Sequence, residues 1–212
     1  MRLPIFAFLT ILVAAPVQAQ MVVPLATDDG RVACLQGMTG IGRPPGWQAV
    51  KDAEAPNGWA LAETTGDSTD LHFPFCISTE AAARNFDATL RFRPVSGTRE
   101  QAGGLMFRAQ DATEYLVARA SALDNTVKLY RMTGGRRSQL ASAEVPVAAG
   151  KWHDLRVLAV DRRIEVFLDG TSVIVATDPG IVRPGAIGVW SPSDSLTHFG
   201  SLLVGPGRPE QR

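Results

Sequence analysis

GKWHDLRVLAVDRRIEVFLDG, residues 150–170, decides the fold. Apolar and polar residues alternate on both sides of the corner Val160-Asp161-Arg162-Arg163, and Asp169-Gly170 then turns the chain into another apolar run. Alternating runs joined by tight polar corners are the strands of antiparallel hairpins. Within 163–168, Ile164, Val166 and Leu168 form one row while Glu165 and Phe167 point the other way, so the first row is predicted to face a core. The same reading applies to residues 86–93, where Phe86, Ala88, Leu90 and Phe92 oppose Asp87, Thr89, Arg91 and Arg93.

Working outward, strands are predicted over 47–51, 59–63, 70–77, 86–94, 104–110, 114–121 and 126–133, then over 138–145, 151–160, 163–168, 172–177, 185–191 and 197–204. Turn signals at Asp124-Asn125, Gly134-Gly135, Ala149-Gly150, Asp169-Gly170 and Pro179-Gly180 leave no room for crossover helices, which excludes a parallel α/β fold. The segment 79–84, Thr-Glu-Ala-Ala-Ala-Arg, is the best helical candidate, one turn capped by Ser78 or Thr79. Tyr115, Val117, Arg119 and Ser121 are expected to form a wet row on their strand, as are Lys128, Tyr130 and Met132 on the next. Sheets with one wet and one dry face pack in pairs, so the fold class is all-β, a sandwich of two antiparallel sheets.

Arg2 followed by the apolar run 3–17 and the small-residue site Val17-Gln18-Ala19 reads as a signal peptide cleaved after Ala19. The expected location is secreted or periplasmic, with no lipid anchor, because no Cys follows the cleavage point, and no transmembrane segment in the mature chain. Residues 20–46 are predicted to be irregular and packed on the domain, 47–205 to form that domain, and 206–212 to be a flexible tail. Lys plus Arg and Asp plus Glu each number 21, so loss of Arg2 with the leader leaves a charge of about −1. That balance excludes nucleic acid as a partner, which calls for a basic face. Cys34 and Cys76 are the only cysteines, and export permits a disulfide between them; two buried free thiols are the alternative.

NFDATLRFRPVSGTREQAGGLMFR (85–108), EYLVARASALDNTVKLYRM (114–132), the 150–170 segment and GAIGVWSPSDSLTHFGSLLV (185–204) follow one another in an order that resembles the 3-keto-disaccharide hydrolase domain family. That family lies within the concanavalin A-like lectin/glucanase and laminin G type jelly rolls. The resemblance implies a concanavalin A-like jelly-roll sandwich and, for activity, cleavage of an oxidised glycoside. The E-x-D-x-x-E strand of family 16 glycoside hydrolases is absent. Glu165 and Asp169 share a face by parity but lie roughly 13 Å apart on an extended strand. Paired glycosidase carboxylates need about 5 to 9.5 Å.

Other chemistry is thin. His72, His153 and His198 are isolated, with His153 expected to face solvent beside Trp152. There is no G-x-S-x-G elbow, and Gly103-Gly104 and Gly134-Gly135 precede no helix that would cradle phosphate. No cofactor is expected, apart from calcium, for which Asp111, Asp124 and Asp169 offer hard oxygen ligands without a contiguous loop motif. Trp47, Trp59, Trp152 and Trp190 are read as core anchors, with a place on a ligand rim near the 191–195 loop as the alternative for Trp190. Arg91, Arg108, Tyr115, Arg119 and Tyr130 remain as a candidate ligand patch, since a sugar needs flat aromatic surface and fixed donors; a solvated sheet face with cross-strand pairs is the alternative. Three functions follow: a carbohydrate-binding domain, a 3-keto-disaccharide hydrolase type enzyme, or a structural envelope or adhesion module.

Overall fold

The computed structural model describes residues 20–208; the expected signal peptide and residues 209–212 of the expected tail lie outside them. The first seven strands are β1 (Met21–Val23), β2 (Leu35–Gly40), β3 (Trp47–Lys51), β4 (Trp59–Glu63), β5 (His72–Ala83), β6 (Phe86–Ser96) and β7 (Ala102–Ala109). The rest are β8 (Tyr115–Ser121), β9 (Thr126–Thr133), β10 (Arg136–Glu144), β11 (His153–Val160), β12 (Arg163–Leu168), β13 (Thr171–Thr177), β14 (Gly185–Trp190) and β15 (Leu196–Pro206). They form an eight-stranded sheet in the order β13-β12-β11-β6-β15-β4-β3, with β1 also on β15, and a seven-stranded sheet in the order β10-β9-β8-β7-β14-β5-β2. Every pairing between these strands is antiparallel.

The decisive stretch behaves as its alternation predicts. Ile164, Val166 and Leu168 are buried, and the Asp161 and Asp169 corners take positive φ at 50° and 49°. Gly170 follows at φ 80°, so Asp169-Gly170 supplies the two left-handed residues that a tight hairpin between β12 and β13 requires. The core between the sheets joins Leu90, Phe92, Val157 and Val166 of one sheet to Leu105, Phe107, Leu116, Leu129 and Val189 of the other.

Two sequence expectations are corrected. Residues 79–84 form no helical turn: β5 runs through Ala83, with Ala82 and Ala83 paired to Ala186 and Gly185. Pairing with β14 overrides the alanines' helix preference, and Ser78 Oγ accepts the amides of Glu80 and Ala81 at a bulge instead of capping a helix. Nor is the 20–46 segment wholly irregular, because β1 adds to β15 and β2 to β5. The Cys34–Cys76 disulfide, with Cα atoms 5.5 Å apart, staples the start of β2 to β5. At the other terminus, Pro206 still belongs to β15.

Candidate functional site

The outer face of the seven-stranded sheet is where Tyr115, Val117, Arg119 and Ser121 were expected to meet water. All four are buried. Tyr115 Oη is 2.9 Å from Thr39 Oγ1 and accepts a hydrogen bond from Trp190 Nε1 at 3.2 Å. Thr39 sits on β2, four places from β8 in the sheet, so this contact requires the sheet to curl into a concave trough. The floor of the trough is filled by its own rings. Trp190 lies across Gly104, Phe75 lies across Gly37, and Phe73 stacks on Trp190 with centroids 5.3 Å apart. A side chain at Gly37 would collide with the Phe75 ring, and one at Gly104 would crowd Val117, the Ala118 carbonyl and the Trp190 ring. Burial pushes the Tyr115 hydroxyl's pKa up, against the hydrogen bonds from Thr39 and Trp190.

Toward the β8–β9 turn the trough becomes polar. Arg119, on β8 beside Lys128 of β9, pairs with Glu100 and with Asp124, the latter at 3.3 Å. Lys128 Nζ also reaches Asp124 at 3.1 Å, and Thr126 donates to it at 2.8 Å. Burial raises the Asp124 carboxyl's pKa, but Thr126, Arg119 and Lys128 outweigh burial and hold it at about 2. The Arg119 Nε has no partner among the described residues. Lys128 stays partly open to solvent, and Tyr130 is buried with 8% exposure. Arg137 of β10 crosses over Phe73 and Tyr130, its guanidinium 4.6 and 4.7 Å from their ring centroids.

Of the five patch residues, the structure brings together Tyr115, Arg119 and Tyr130. Arg91 lies on β6, on the outer face of the other sheet, 3.9 Å from Asp154 and above Trp152. Arg108 is turned inward. Between Ala186 and Gly188 of β14 the register slips by a residue, Arg108 adopts φ 50°, and its side chain runs into the sandwich. There it donates to the carbonyls of Arg84, Ile181 and Asp161 at 3.0, 2.9 and 2.7 Å. Burial lowers its pKa.

Sequence reading missed Glu100 and the rings of Phe73 and Phe75 as parts of this face. Trp190, expected as a core anchor, fills the trough rather than the space between the sheets. Trp47 is in the main core, whereas Trp59 and Trp152 are only half-buried. His153 does not face solvent: it is buried between the Asp169 carboxylate at 2.7 Å and the Ala148 carbonyl at 3.1 Å. The three aspartates considered for calcium occupy three separate turns. Asp111 accepts the amides of Thr113 and Glu114, Asp124 serves Arg119, and Asp169 serves His153. Among the described residues no three His, Cys, Asp or Glu side chains gather as metal ligands.

Comparisons with known proteins fit this architecture. The carbohydrate-binding module CBM66 from Bacillus subtilis superposes with a TM-score of 0.65 at 22% identity, covering 80% of this chain and 94% of that one. A Bacillus subtilis protein with a galectin-like fold gives 0.59 at 12% identity, covering 82% and 90%. Domain 4 of AbnA, an extracellular arabinanase from Geobacillus stearothermophilus solved with arabinotriose, gives 0.57 at 12% identity, covering 89% and 93%. At such identities these likenesses establish the jelly-roll fold. A search of curated proteins returned no match. Residues 44–197 match a family profile described as 3-keto-alpha-glucoside-1,2-lyase-like domain.

Proposed function

The chain belongs to the 3-keto-alpha-glucoside-1,2-lyase-like domain family, and we propose from that premise that it is an exported jelly-roll domain which binds a glycan or oligosaccharide at the polar end of its concave sheet. Arg119 carries the reading. It is 3% exposed and held between two carboxylates, yet apolar side chains in place of the whole ion-paired cluster would serve stability as well, because a buried ion pair often fails to repay its desolvation. What the network does supply is preorganised chemistry: Lys128 as a donor, Asp124 and Glu100 as acceptors, and Tyr130 as the neighbouring ring. Groups already fixed lose little freedom when a sugar hydroxyl arrives. The likeness to CBM66 and to the arabinanase domain, both carbohydrate-associated by description, supports the assignment.

A glycan array followed by calorimetry tests it. Lys128→Ala and Tyr130→Ala are expected to weaken binding by about 1 to 2 kcal/mol each, through a lost donor and a lost ring contact. Lys128→Ala should leave the melting temperature nearly unchanged. Tyr115 belongs to the trough floor, so its replacement reports on stability. An array blank at millimolar affinity would leave a structural module, and intact binding in both variants would place the site elsewhere.

The family description favours glycoside cleavage as a second reading. Eliminating across C1–C2 of a 3-keto glucoside starts with removal of the proton beside the ketone, which needs a base near neutral pKa. Asp124 is held at about 2 and Glu100 is tied to Arg119, so neither suits that task. Release of aglycone from a 3-keto-glucoside by the purified protein would reverse this preference.

A further inference from the structure

The tip of the β9–β10 hairpin carries charge that the concave-face reading does not use. Gly134 and Gly135, at φ 55° and 74°, close the hairpin so tightly that Arg136 and Arg137 follow at once on β10, opposite Thr133 and Met132. Successive strand residues point to opposite faces. Arg137 lies on the concave side above Phe73 and Tyr130, while Arg136 lies on the Thr133 side. A cleft of about 480 Å³ opens there between the hairpin and the β13–β14 connection, lined by Arg131, Thr133, Arg136, Arg137, Ser138 and Gly180.

The charges around it do not cancel. Arg131 is bound 2.7 Å from the buried Asp178 and lies flat across Gly180, where a Cβ would come within 2.5 Å of its Nη1. Glu114, also on the cleft, is taken by Arg183 at 2.8 Å. Arg136 and Arg137 have no carboxylate within 4.0 Å among the described residues. Many other guanidinium groups of this near-neutral chain do have a carboxylate, Arg43 with Asp67, Arg93 with Asp52, Arg119 with Glu100 and Arg156 with Asp87 among them. Two adjacent exposed cations without a carboxylate partner concentrate positive potential at this hairpin tip. The guanidinium fork fits a planar carboxylate through two parallel hydrogen bonds. Because β10 is the edge strand of its sheet, a chain lying in the trough meets Arg137 and the cleft as it crosses that edge.

We infer that this cleft takes the carboxylate of an acidic saccharide, a uronic acid unit, as part of a glycan held on the neighbouring concave face. The assignment rests on the carbohydrate-binding reading and deepens it by naming the ligand class. Arg136 supplies the unmatched donor, Arg131 a fixed second guanidinium, and Thr133 and Ser138 hydroxyls beside them, while Arg137, over the rings of the concave face, adds positive charge at the edge that the glycan crosses.

Calorimetry with trigalacturonate, neutral galactotriose and a short dextran sulfate, at two salt concentrations, tests the inference. Trigalacturonate is expected to bind at least tenfold more tightly than galactotriose. Arg136→Gln should lose most of that preference with its melting temperature and its affinity for galactotriose unchanged, and the Arg136→Gln/Arg137→Gln double variant should abolish the preference. Equal affinity for the two trisaccharides, or a double variant that keeps the preference, overturns the acidic-saccharide assignment while leaving carbohydrate binding intact. Dextran sulfate competing as well as trigalacturonate overturns it too, since diffuse attraction to any polyanion then suffices. Failure of both trisaccharides, with a blank glycan array, defeats both readings.

Discussion

Replacing Arg108 by Met separates two roles that the residue's position in sequence leaves open. The wild-type guanidinium is fully buried and spans the sandwich to the carbonyls of Arg84, Ile181 and Asp161. Hydrogen bonds to charged groups contribute about 1.5 to 3 kcal/mol each, and removing the donor leaves carbonyls with an acceptor site unmet. Three such bonds do not add fully, and the variant no longer has to bury a cation, so a net loss of about 4 kcal/mol is expected. That is a large share of the roughly 5–15 kcal/mol that holds a domain folded. At about 2–4 °C per kcal/mol for a chain of this size, the melting temperature should fall by about 8–16 °C. Arg108→Lys, which keeps the charge but cannot address three carbonyls at once, should fall between the two. Thermal unfolding followed by circular dichroism reads the shift, and calorimetry on folded protein at low temperature should find glycan affinity unchanged. A melting temperature within 3 °C of wild type together with weakened binding would refute the inward placement of Arg108.

Removing the disulfide as Cys34→Ala/Cys76→Ala should cost on the order of 4 kcal/mol, from the chain entropy that a link across 42 positions removes from the unfolded state; a denaturation midpoint equal to wild type would show that the staple is idle. Val166→Asp places an unpaired charge in the core between the sheets, and is expected to abolish soluble folded protein, so normal yield and melting would contradict the burial of that row. Acid should weaken the polar end of the trough. The Asp124 pKa is depressed from 3.8 to about 2, so its contribution is complete above about pH 4 and lost as pH falls through about 2. Urea midpoints should therefore drop more for wild type than for Asp124→Asn between pH 6 and pH 2, by a modest amount because the carboxylate is partly exposed and screened; parallel drops would remove Asp124 from the acid response.

Alternation told which residues share a face, and that sufficed for the sandwich: Ile164, Val166 and Leu168 are buried, and Arg91 and Arg93 point away from the core as their phase demands. Parity carries no information about which sheet a strand joins. Arg91 and Tyr115 both have outward phase, but β6 and β8 belong to different sheets, so the two side chains stand on opposite sides of the molecule. Nor does parity survive a bulge: one slipped residue in β7 sends Arg108 from the trough into the interior, and nothing in Leu-Met-Phe-Arg-Ala marks the slip. The burial of Tyr115 and Arg119 was illegible for a third reason. An outward row is wet only on a sheet whose outer face is open, and this sheet curls until β2 reaches β8 and fills the trough with its own rings. The traces of that curl are Gly37 opposite Phe75 and Gly104 opposite Trp190, glycines placed where a ring must lie flat. They acquire meaning only once register pairs positions far apart in the chain, because a glycine in a strand otherwise reads as a weak point or a bulge.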